Sequence, residues 1–352
     1  MELRFWPFQL SLKHRWAVAS SADHKGSASI PTMLVELEDD SGVVGIGEAA
    51  TTERYSQSIE SIAAFLHTIN PSRLSFEDVE ASRAYLESLG TENSSARGAL
   101  DIALLDGASK RRGVPLFEYL GLEFTEGRHL TSFTIGIDQP ETIRQKVIEA
   151  DAFPVLKMKV GVAGDKENLK ALRSVAPHKK IRIDGNEGWK SKEVALQEIE
   201  WFAEDGGVEF VEQPMPADLS ARDWIWLKER SPLPIMADES YLTAADALHC
   251  AECFHAVNIK LLKTGGVSGA YEALKAARKM GLKTMLGCMI ETSVLISAAA
   301  HLADLTDYLD LDGNLLVSND PYSGVTCSKG ILSFQPYANR AGLCIRDCSG
   351  PI

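Results

Sequence analysis

The chain has 352 residues, of which 45% are hydrophobic and 24% are charged, and its net charge is −13. The length favours two domains, and the acidic balance argues against sequence-independent binding of nucleic acid, which requires clustered lysine and arginine. No apolar run is long enough to cross a bilayer, the N-terminus lacks the pattern of a secretion signal, and the six scattered cysteines indicate reduced thiols, so we expect a cytoplasmic protein without a membrane partner.

The first third of the chain shows strand patterns followed by helical patterns. The predicted strands cover residues 3–20, 28–38 and 43–48. From 56 to 119 the apolar residues take helical spacing, most clearly from Ala96 to Lys110. This order predicts an α+β capping domain over 1–125. The C-terminal segment 320–352 contains no further repeat, and we expect it to complete that domain.

Eight short β-prone runs follow, and a stretch with helical character separates each run from the next. They cover residues 132–137, 155–160, 181–184, 208–212, 235–238, 257–261, 284–288 and 308–312. A repeated strand, loop and helix is typical of a parallel sheet. We therefore predict an α/β fold, a modified (β/α)7β TIM-like barrel over 126–319 with the N-terminal capping domain.

Acidic residues end three consecutive predicted strands: Asp184, Glu212 and Asp238. The C-terminal ends of barrel strands meet at one face, so these carboxylates are expected to converge. Converging carboxylates repel one another unless a cation lies between them, and oxygen ligands with room for water and substrate suit Mg²⁺. Each acid alone could instead cap the helix that follows it. Three in succession favour the metal site.

Lysines occupy two opposite strands of the predicted ring. Lys157 and Lys159 are two residues apart on the second strand, so their side chains point the same way. Lys260 lies on the sixth strand, which faces the second in an eight-stranded barrel. A lysine near a metal and another cation should have a lowered pKa and act as a base. One lysine would then remove the acidified α-proton of a bound carboxylate, and the other would return a proton to the opposite face. A solvent-facing pair at the strand mouth is the alternative for Lys157 and Lys159.

Five ordered motifs resemble the muconate-lactonizing subgroup of the enolase superfamily over essentially the whole chain. They are Lys157-Met158-Lys159, Asp184-Gly185-Asn186, Glu212-Gln213-Pro214, Ala237-Asp238-Glu239, and Asn258-Ile259-Lys260 with Gly265-Gly266. The resemblance implies that Asp184, Glu212 and Asp238 are the Mg²⁺ ligands. Lysine bases working with Mg²⁺ are a known property of this superfamily.

The resemblance also assigns roles to the lysines. It implies that Lys159 and Lys260 are the two acid/base catalysts, and that Lys157 lowers the pKa of Lys159 and helps to hold the substrate carboxylate. Gly265-Gly266 is expected to let the backbone turn close to the site.

An acidic pair, Asp310 and Asp312, lies at the end of the eighth strand, with both side chains on the same side. An acidic pair in a cleft attracts a cation. The alternative is that these are two acids in a strand-end loop without a binding role. This Asp-Leu-Asp resembles the motif with which dipeptide epimerases bind the substrate's α-ammonium group, and the stretch after the seventh strand resembles theirs. The resemblance implies that the substrate is contacted by Thr134, Cys288, Met289, Ile290, Asp310 and Asp312.

The sequence thus predicts an isomerase, a Mg²⁺-dependent epimerase of small-molecule dipeptides of the L-Ala-Xaa type, L-Ala-D/L-Glu included. It would invert the α-carbon of the C-terminal residue by two-base 1,1-proton transfer through an enolate. An o-succinylbenzoate synthase, an N-acylamino-acid racemase, a cycloisomerase and a barrel that only binds a ligand are the alternatives. Glutamate-specific members carry an arginine in the capping loop where this chain has Ser21, with His24 and Lys25 nearby. Selectivity for the side chain of the dipeptide is therefore left open. Assembly into a homo-oligomer is a separate open question.

Overall fold

The computed structural model of the chain describes residues 1–19, 26–90 and 92–348. The capping-loop residues Ser21, His24 and Lys25 lie outside this part. No helix within the described ranges is long and apolar enough to cross a membrane.

The N-terminal part is a three-stranded antiparallel sheet, in the order β1-β2-β3, packed against helices. Its elements are β1 (Glu2–Trp16), β2 (Ser27–Glu38), β3 (Val44–Ala50), α1 (Ile59–His67), α2 (Val79–Ser88), α3 (Ser94–Arg112) and α4 (Leu116–Tyr119). The Asn93 side chain caps the start of α3, and Gly113 ends it in the left-handed region at φ 69°. This helix lies directly on the sheet, since a Cβ at Gly47 would come 1.9 Å from the carbonyl oxygen of Ala99.

The second part is a ring of eight parallel strands that follow one another in chain order. They are β4 (Phe133–Ile135), β5 (Val155–Lys159), β6 (Lys180–Asp184), β7 (Val208–Glu212), β8 (Ile235–Ala237), β9 (Ala256–Ile259), β10 (Lys283–Gly287) and β11 (Tyr308–Asp310). A parallel bridge between Thr131 and Leu309 joins the last strand to the first, and the backbone N–H of Ser132 donates to the Leu309 carbonyl at 3.2 Å.

Helical segments fill the seven connections between these strands. They are α5 (Pro140–Glu149), α6 (Asp165–Val175), α7 (Lys192–Ala203), α8 (Ala221–Arg230), α9 (Ala247–Cys253), α10 (Leu261–Thr264) with α11 (Val267–Lys279), and α12 (Ser293–Ala300). The predicted (β/α)7β barrel with an N-terminal α+β domain is confirmed. Several strands are shorter than predicted, and in the barrel the largest differences are at β4 and β11. After β4 the N–H of Ile137 donates to Ala17 of the capping domain, and after β11 Asp312 enters a 3-10 turn.

The C-terminal segment returns to the N-terminal domain. It contains β12 (Tyr322–Ser323), β13 (Thr326–Ser328), β14 (Ile331–Ser333) and β15 (Arg346–Asp347). The Gly342 carbonyl accepts from the N–H of Leu116 at 2.8 Å, and the N–H of Leu343 donates to Asp106 at 2.8 Å. Earlier in the segment, the N–H groups of Val325 and Leu332 bond to Ser297 and His129 of the barrel. The division into a capping domain, 1–125 with 320–352, and a barrel over 126–319 stays a prediction.

The glycine pair after Lys260 serves the contact between the domains. Gly265 and Gly266 have φ 77° and 106°, and a Cβ on Gly266 would lie 2.5 Å from the Asp101 carboxylate of α3. That carboxylate accepts from the N–H of Ser268 at 3.0 Å, at the start of α11. The expected turn near the site is therefore also the place where the capping helix seats on the barrel.

Candidate metal and acid-base site

The strand register places three carboxylates at one level of the barrel mouth. Asp184 pairs with Glu212 on the neighbouring strand, and the next strand leads directly into Asp238. The Gln213 side chain accepts from the N–H of Asp238 at 2.9 Å, which holds this turn beside Glu212. One ligand oxygen from each of the three carboxylates lies within 4.8 Å of the others. All three side chains are buried, with exposed fractions of 0–1%.

The donor set fits a divalent metal ion. Carboxylate oxygens are the ligands that hard divalent cations prefer. Oε2 of Glu212 is buried and lies 2.8 Å from Nζ of Lys157 without forming a hydrogen bond, and burial together with the charge of Asp184 raises the pKa of Glu212 to about 7. A bound cation would satisfy that oxygen and favour the ionised form.

Two lysines on β5 reach the same carboxylates. Nζ of Lys157 lies 3.0 Å from Asp184, 2.8 Å from Glu212 and 2.7 Å from Asp310. Nζ of Lys159 lies 2.7 Å from Asp184 and 6.0 Å from the ring centroid of Trp16 in the capping domain. Burial alone lowers the pKa of Lys157, but the surrounding carboxylates outweigh it and raise that pKa.

Lys260 approaches from β9, four strands from β5 in the ring. Its Nζ lies 2.7 Å from Oδ2 of Asp238 and 3.9 Å from Sδ of Met289. For Lys260, the expected lowering of the pKa by a neighbouring metal ion stays a prediction, and the described residues act in the other direction. Burial opposes the charged form, but the attraction of Asp238 is stronger and raises the pKa.

A further lysine, Lys263 of α10, was missed from the sequence. Its Nζ donates to the Asp238 carbonyl at 2.6 Å, to Oδ1 of Asp238 at 2.7 Å and to the Asn258 carbonyl at 3.0 Å. Burial, and then Lys260, lower its pKa, although Asp238 opposes them. It holds one oxygen of Asp238 while Lys260 contacts the other. The available signal was its spacing, one helical turn after Lys260, which brings it back to the same carboxylate.

Lys263→Met should reduce the free energy of unfolding by about 3–5 kcal/mol, because it leaves a buried carboxylate oxygen and the Asn258 carbonyl without their donor. Urea unfolding in EDTA measures this loss. Lys275→Met is the control, since its ion pair with Glu272 is exposed and should contribute little. A loss for Lys263→Met as small as the control's would show that the buried ammonium is dispensable.

The two aspartates at the end of β11 have different environments. Asp310 accepts from Lys157 at 2.7 Å and from the Ser132 hydroxyl at 2.7 Å. Burial opposes ionisation, but Lys157 is stronger and lowers the pKa of Asp310. Asp312 accepts from the N–H of Thr134 at 2.6 Å, and no described lysine or arginine pairs with it. Burial and the charge of Asp310 raise the pKa of Asp312 to about 7.

The other predicted substrate-binding residues surround Asp312 unevenly. Thr134 reaches it through the backbone, and Sγ of Cys288 lies 3.9 Å from its Oδ1. Met289 turns toward Lys260. The Ile290 side chain packs in a small apolar cluster with the capping strand β1 and with Val317, which follows β11, so the structure does not bring it to the carboxylates.

Comparison with known families gives two matches along the chain. The family described as "Mandelate racemase / muconate lactonizing enzyme, N-terminal domain" matches residues 15–121. The family described as "Enolase C-terminal domain-like" matches residues 141–316.

Individual proteins extend these matches over nearly the full length. An L-Ala-D/L-amino acid epimerase of Pedosphaera parvula is 55% identical over 98% of this chain and 99% of its own. The substrate-liganded L-Ala-D/L-Glu epimerase of Bacillus subtilis superposes with a TM-score of 0.88 at 30% identity, over 98% of each chain. A dipeptide epimerase of Enterococcus faecalis, complexed with Mg and L-Leu-L-Tyr, gives 0.85 at 28% identity, over 97% of this chain and 98% of its own. The chain therefore belongs to the mandelate racemase/muconate lactonizing enzyme family of the enolase superfamily.

Proposed function

We propose that this protein is a Mg²⁺-dependent dipeptide epimerase that inverts the α-carbon of the C-terminal residue of L-Ala-Xaa dipeptides. The observation that carries the proposal is the position of Lys159 and Lys260 on opposite walls, each 2.7 Å from one of the clustered carboxylates. The Mg²⁺ ion would be held by Asp184, Glu212 and Asp238. When bound, it supplies stabilisation of the negative charge that develops on the substrate carboxylate.

The lysines perform the proton transfers. One lysine, neutral at the start, takes the α-proton; the C–H bond breaks, and its electron pair remains on the substrate as an enolate. The other lysine, charged at the start, gives a proton to the opposite face of the α-carbon and becomes neutral. Because the two Nζ atoms come from strands on opposite sides of the ring, the proton arrives from the side opposite to its departure. The chirality is therefore inverted, and the reverse reaction exchanges the two roles.

The buried lysine Lys157 has a different role from the two bases. It lies among three carboxylates and is 1% exposed, so it is held as a fixed cation. In that position it would attract the substrate carboxylate and help to orient the α-carbon between the bases. The Mg²⁺ assignment is supported by the three-carboxylate donor set and by the relative of known structure that contains Mg.

Asp312 is the proposed acceptor of the substrate ammonium group. Its neighbour Asp310 is already paired with Lys157, whereas Asp312 has no cationic partner among the described residues and a raised pKa. An ammonium group placed there would restore the charge balance. This requirement distinguishes the dipeptide reaction from that of an N-acylamino-acid racemase or an o-succinylbenzoate synthase, whose substrates carry no ammonium.

Asp312→Asn should lower kcat/KM for free dipeptides by about ten- to a hundredfold. A charge-assisted hydrogen bond contributes about 1.5–3 kcal/mol, and each 1.4 kcal/mol corresponds to about tenfold in rate. The measurement compares L-Ala-Xaa with its N-acetyl derivative in both proteins. In the wild type the N-acetyl derivative should be a poor substrate, and in the variant the two should become similar, while Mg²⁺ affinity is unchanged. Equal turnover of both by the wild type would move the assignment to the N-acylamino-acid racemase or synthase alternative.

The reaction itself is tested with a library of L-Ala-L-Xaa dipeptides in D₂O. Each accepted dipeptide should gain one deuteron at the α-carbon of its C-terminal residue as it epimerises. The library also shows which side chains the enzyme accepts at the C-terminal residue of the dipeptide, since the described residues do not specify them. Absence of exchange across the library in the presence of Mg²⁺ would contradict the proposal.

A further inference from the structure

A buried carboxylate of the capping domain contacts the barrel beside the site. Glu48 lies on β3, is 1% exposed and accepts hydrogen bonds only. The donors are the Thr292 hydroxyl at 2.5 Å, the Thr292 N–H at 3.0 Å, the Thr32 hydroxyl at 2.9 Å and the Leu295 N–H at 3.4 Å. Four donors on one side chain select an ionised carboxylate, which has no proton to place.

Three of these donors belong to the start of α12. The first N–H groups of a helix lack partners within the helix, and the helix dipole favours an anion there. The Thr292 hydroxyl accepts a hydrogen bond from the N–H of Val294 at 3.1 Å and donates one to Glu48. Burial raises the pKa of Glu48 to about 7, while the hydrogen bonds from Thr292 act in the opposite direction. The capping domain thus supplies a carboxyl group that accepts hydrogen bonds from the first residues of a barrel helix.

The contact continues from this cap to the Lys260 side of the site. Thr292 directly follows the 288–291 stretch, in which the Glu291 carboxylate accepts from the N–H of Met289 at 2.9 Å. The Met289 thioether then lies 3.9 Å from Nζ of Lys260. On its other side the stretch is confined, because even a Cβ on Gly313 would come 2.1 Å from the Met289 carbonyl. A shift of Thr292 would therefore be transmitted to the surroundings of Lys260.

We propose that Glu48 is a positioning residue through which the capping domain sets the 288–291 stretch against Lys260. The inference rests on the proposed epimerase function. Lys159 contacts Asp184 and Trp16, and its link to this stretch is indirect, through the apolar cluster that contains both Trp16 and Ile290. Loss of Glu48 should therefore impair proton transfer by Lys260 more than proton transfer by Lys159. A general loss of stability does not slow α-proton exchange of one epimer more than that of the other, so an unequal effect is specific to positioning.

The test measures α-proton exchange of each epimer separately in D₂O, at substrate saturation and with Mg²⁺. Single alanine variants of the two lysines first identify which epimer each base deprotonates. In Glu48→Gln, exchange of the epimer deprotonated by Lys260 should fall by roughly tenfold or more, since small misplacements of a catalytic group cost up to about a hundredfold. Exchange of the other epimer should change much less. An equal loss of exchange rate for both epimers, or no loss for either, would overturn the proposal.

Asp106→Asn is the matched control. Asp106 is also a fully buried capping-domain carboxylate that accepts backbone hydrogen bonds, from Ile46 at 2.9 Å and Leu343 at 2.8 Å. It lies away from the 288–291 stretch. This variant should lose stability but keep the wild-type ratio of the two exchange rates. If it shifts the ratio as Glu48→Gln does, the effect is not specific to Glu48.

Two further measurements keep the inference separate from the proposed function and from folding. Amide hydrogen exchange at Thr292 and Leu295 should accelerate in Glu48→Gln and not in Asp106→Asn, and this needs no substrate. If the wild type epimerises nothing, the proposed function fails, while this result still decides whether Glu48 holds the loop. If Glu48→Gln does not fold, Thr292→Val removes one donor and should show the same unequal effect to a smaller extent. An unchanged ratio in that variant would reject the proposal.

Discussion

Lys260→Ala is expected to abolish epimerisation while sparing half of the exchange chemistry. Removal of a general acid/base costs on the order of 10²–10⁴-fold in rate. The other described ammonium on that wall, Lys263, is held by the Asp238 carboxylate and by the Asp238 and Asn258 carbonyls, so we expect no replacement for Lys260. The variant should therefore fail to interconvert the epimers. Lys159 should still exchange the α-proton of the epimer that faces it, which proton NMR in D₂O would show as deuterium uptake without inversion.

Lys159→Ala should give the mirror result, with exchange confined to the other epimer. Lys275→Ala is the control, since this lysine is exposed on α11 and should leave both exchange and inversion unchanged. Normal inversion by Lys260→Ala would show that Lys260 is not a catalyst and that Lys159 and Lys260 do not act from opposite sides of the substrate.

Removal of the metal should also abolish activity. Excess EDTA is expected to stop epimerisation, and Mg²⁺ or Mn²⁺ should restore it, because three buried carboxylates converge at one point and a hard cation satisfies them. Asp238→Asn should have a comparable effect. It replaces an anionic ligand by a neutral one, and it leaves Lys260 and Lys263 without the carboxylate that both contact. Calorimetric titration with Mg²⁺ should show loss of binding in this variant independently of turnover.

Asp205→Asn provides the comparison for Asp238→Asn. Asp205 forms a largely buried ion pair with Arg173 where α6 and α7 end, away from the three clustered carboxylates. Loss of this ion pair should reduce stability without changing Mg²⁺ affinity. Full epimerase activity in excess EDTA would exclude a metal-dependent reaction, and unchanged Mg²⁺ binding by Asp238→Asn would exclude Asp238 as a ligand.

The sequence was sufficient for the barrel and for the convergence of its charged strand ends. The alternation of strands and helices specifies parallel strands, and the parallel connection brings every strand's C-terminal end to the same face. Asp184, Glu212 and Asp238 were predicted to meet for that reason, and the structure brings them together. The two-residue period of a strand placed Lys157 and Lys159 on one side, and both reach Asp184.

Only the tertiary structure decided which charges pair. Lys157 and Asp310 are 153 residues apart and lie 2.7 Å from each other, so Asp310 is paired, whereas no lysine or arginine in the described ranges pairs with Asp312. Lys263 and Glu48 were not identified from the sequence, because a helical lysine and a strand glutamate are ordinarily exposed. Glu48 is buried because the capping strand β3 packs on the start of α12. Lys260 and Lys263 meet Asp238 because β8 and β9 are neighbours in the ring, and Asp238 raises the pKa of Lys260. Local periodicity determines which way a side chain points, whereas the partner that it meets depends on how the barrel closes and how the capping domain packs on it.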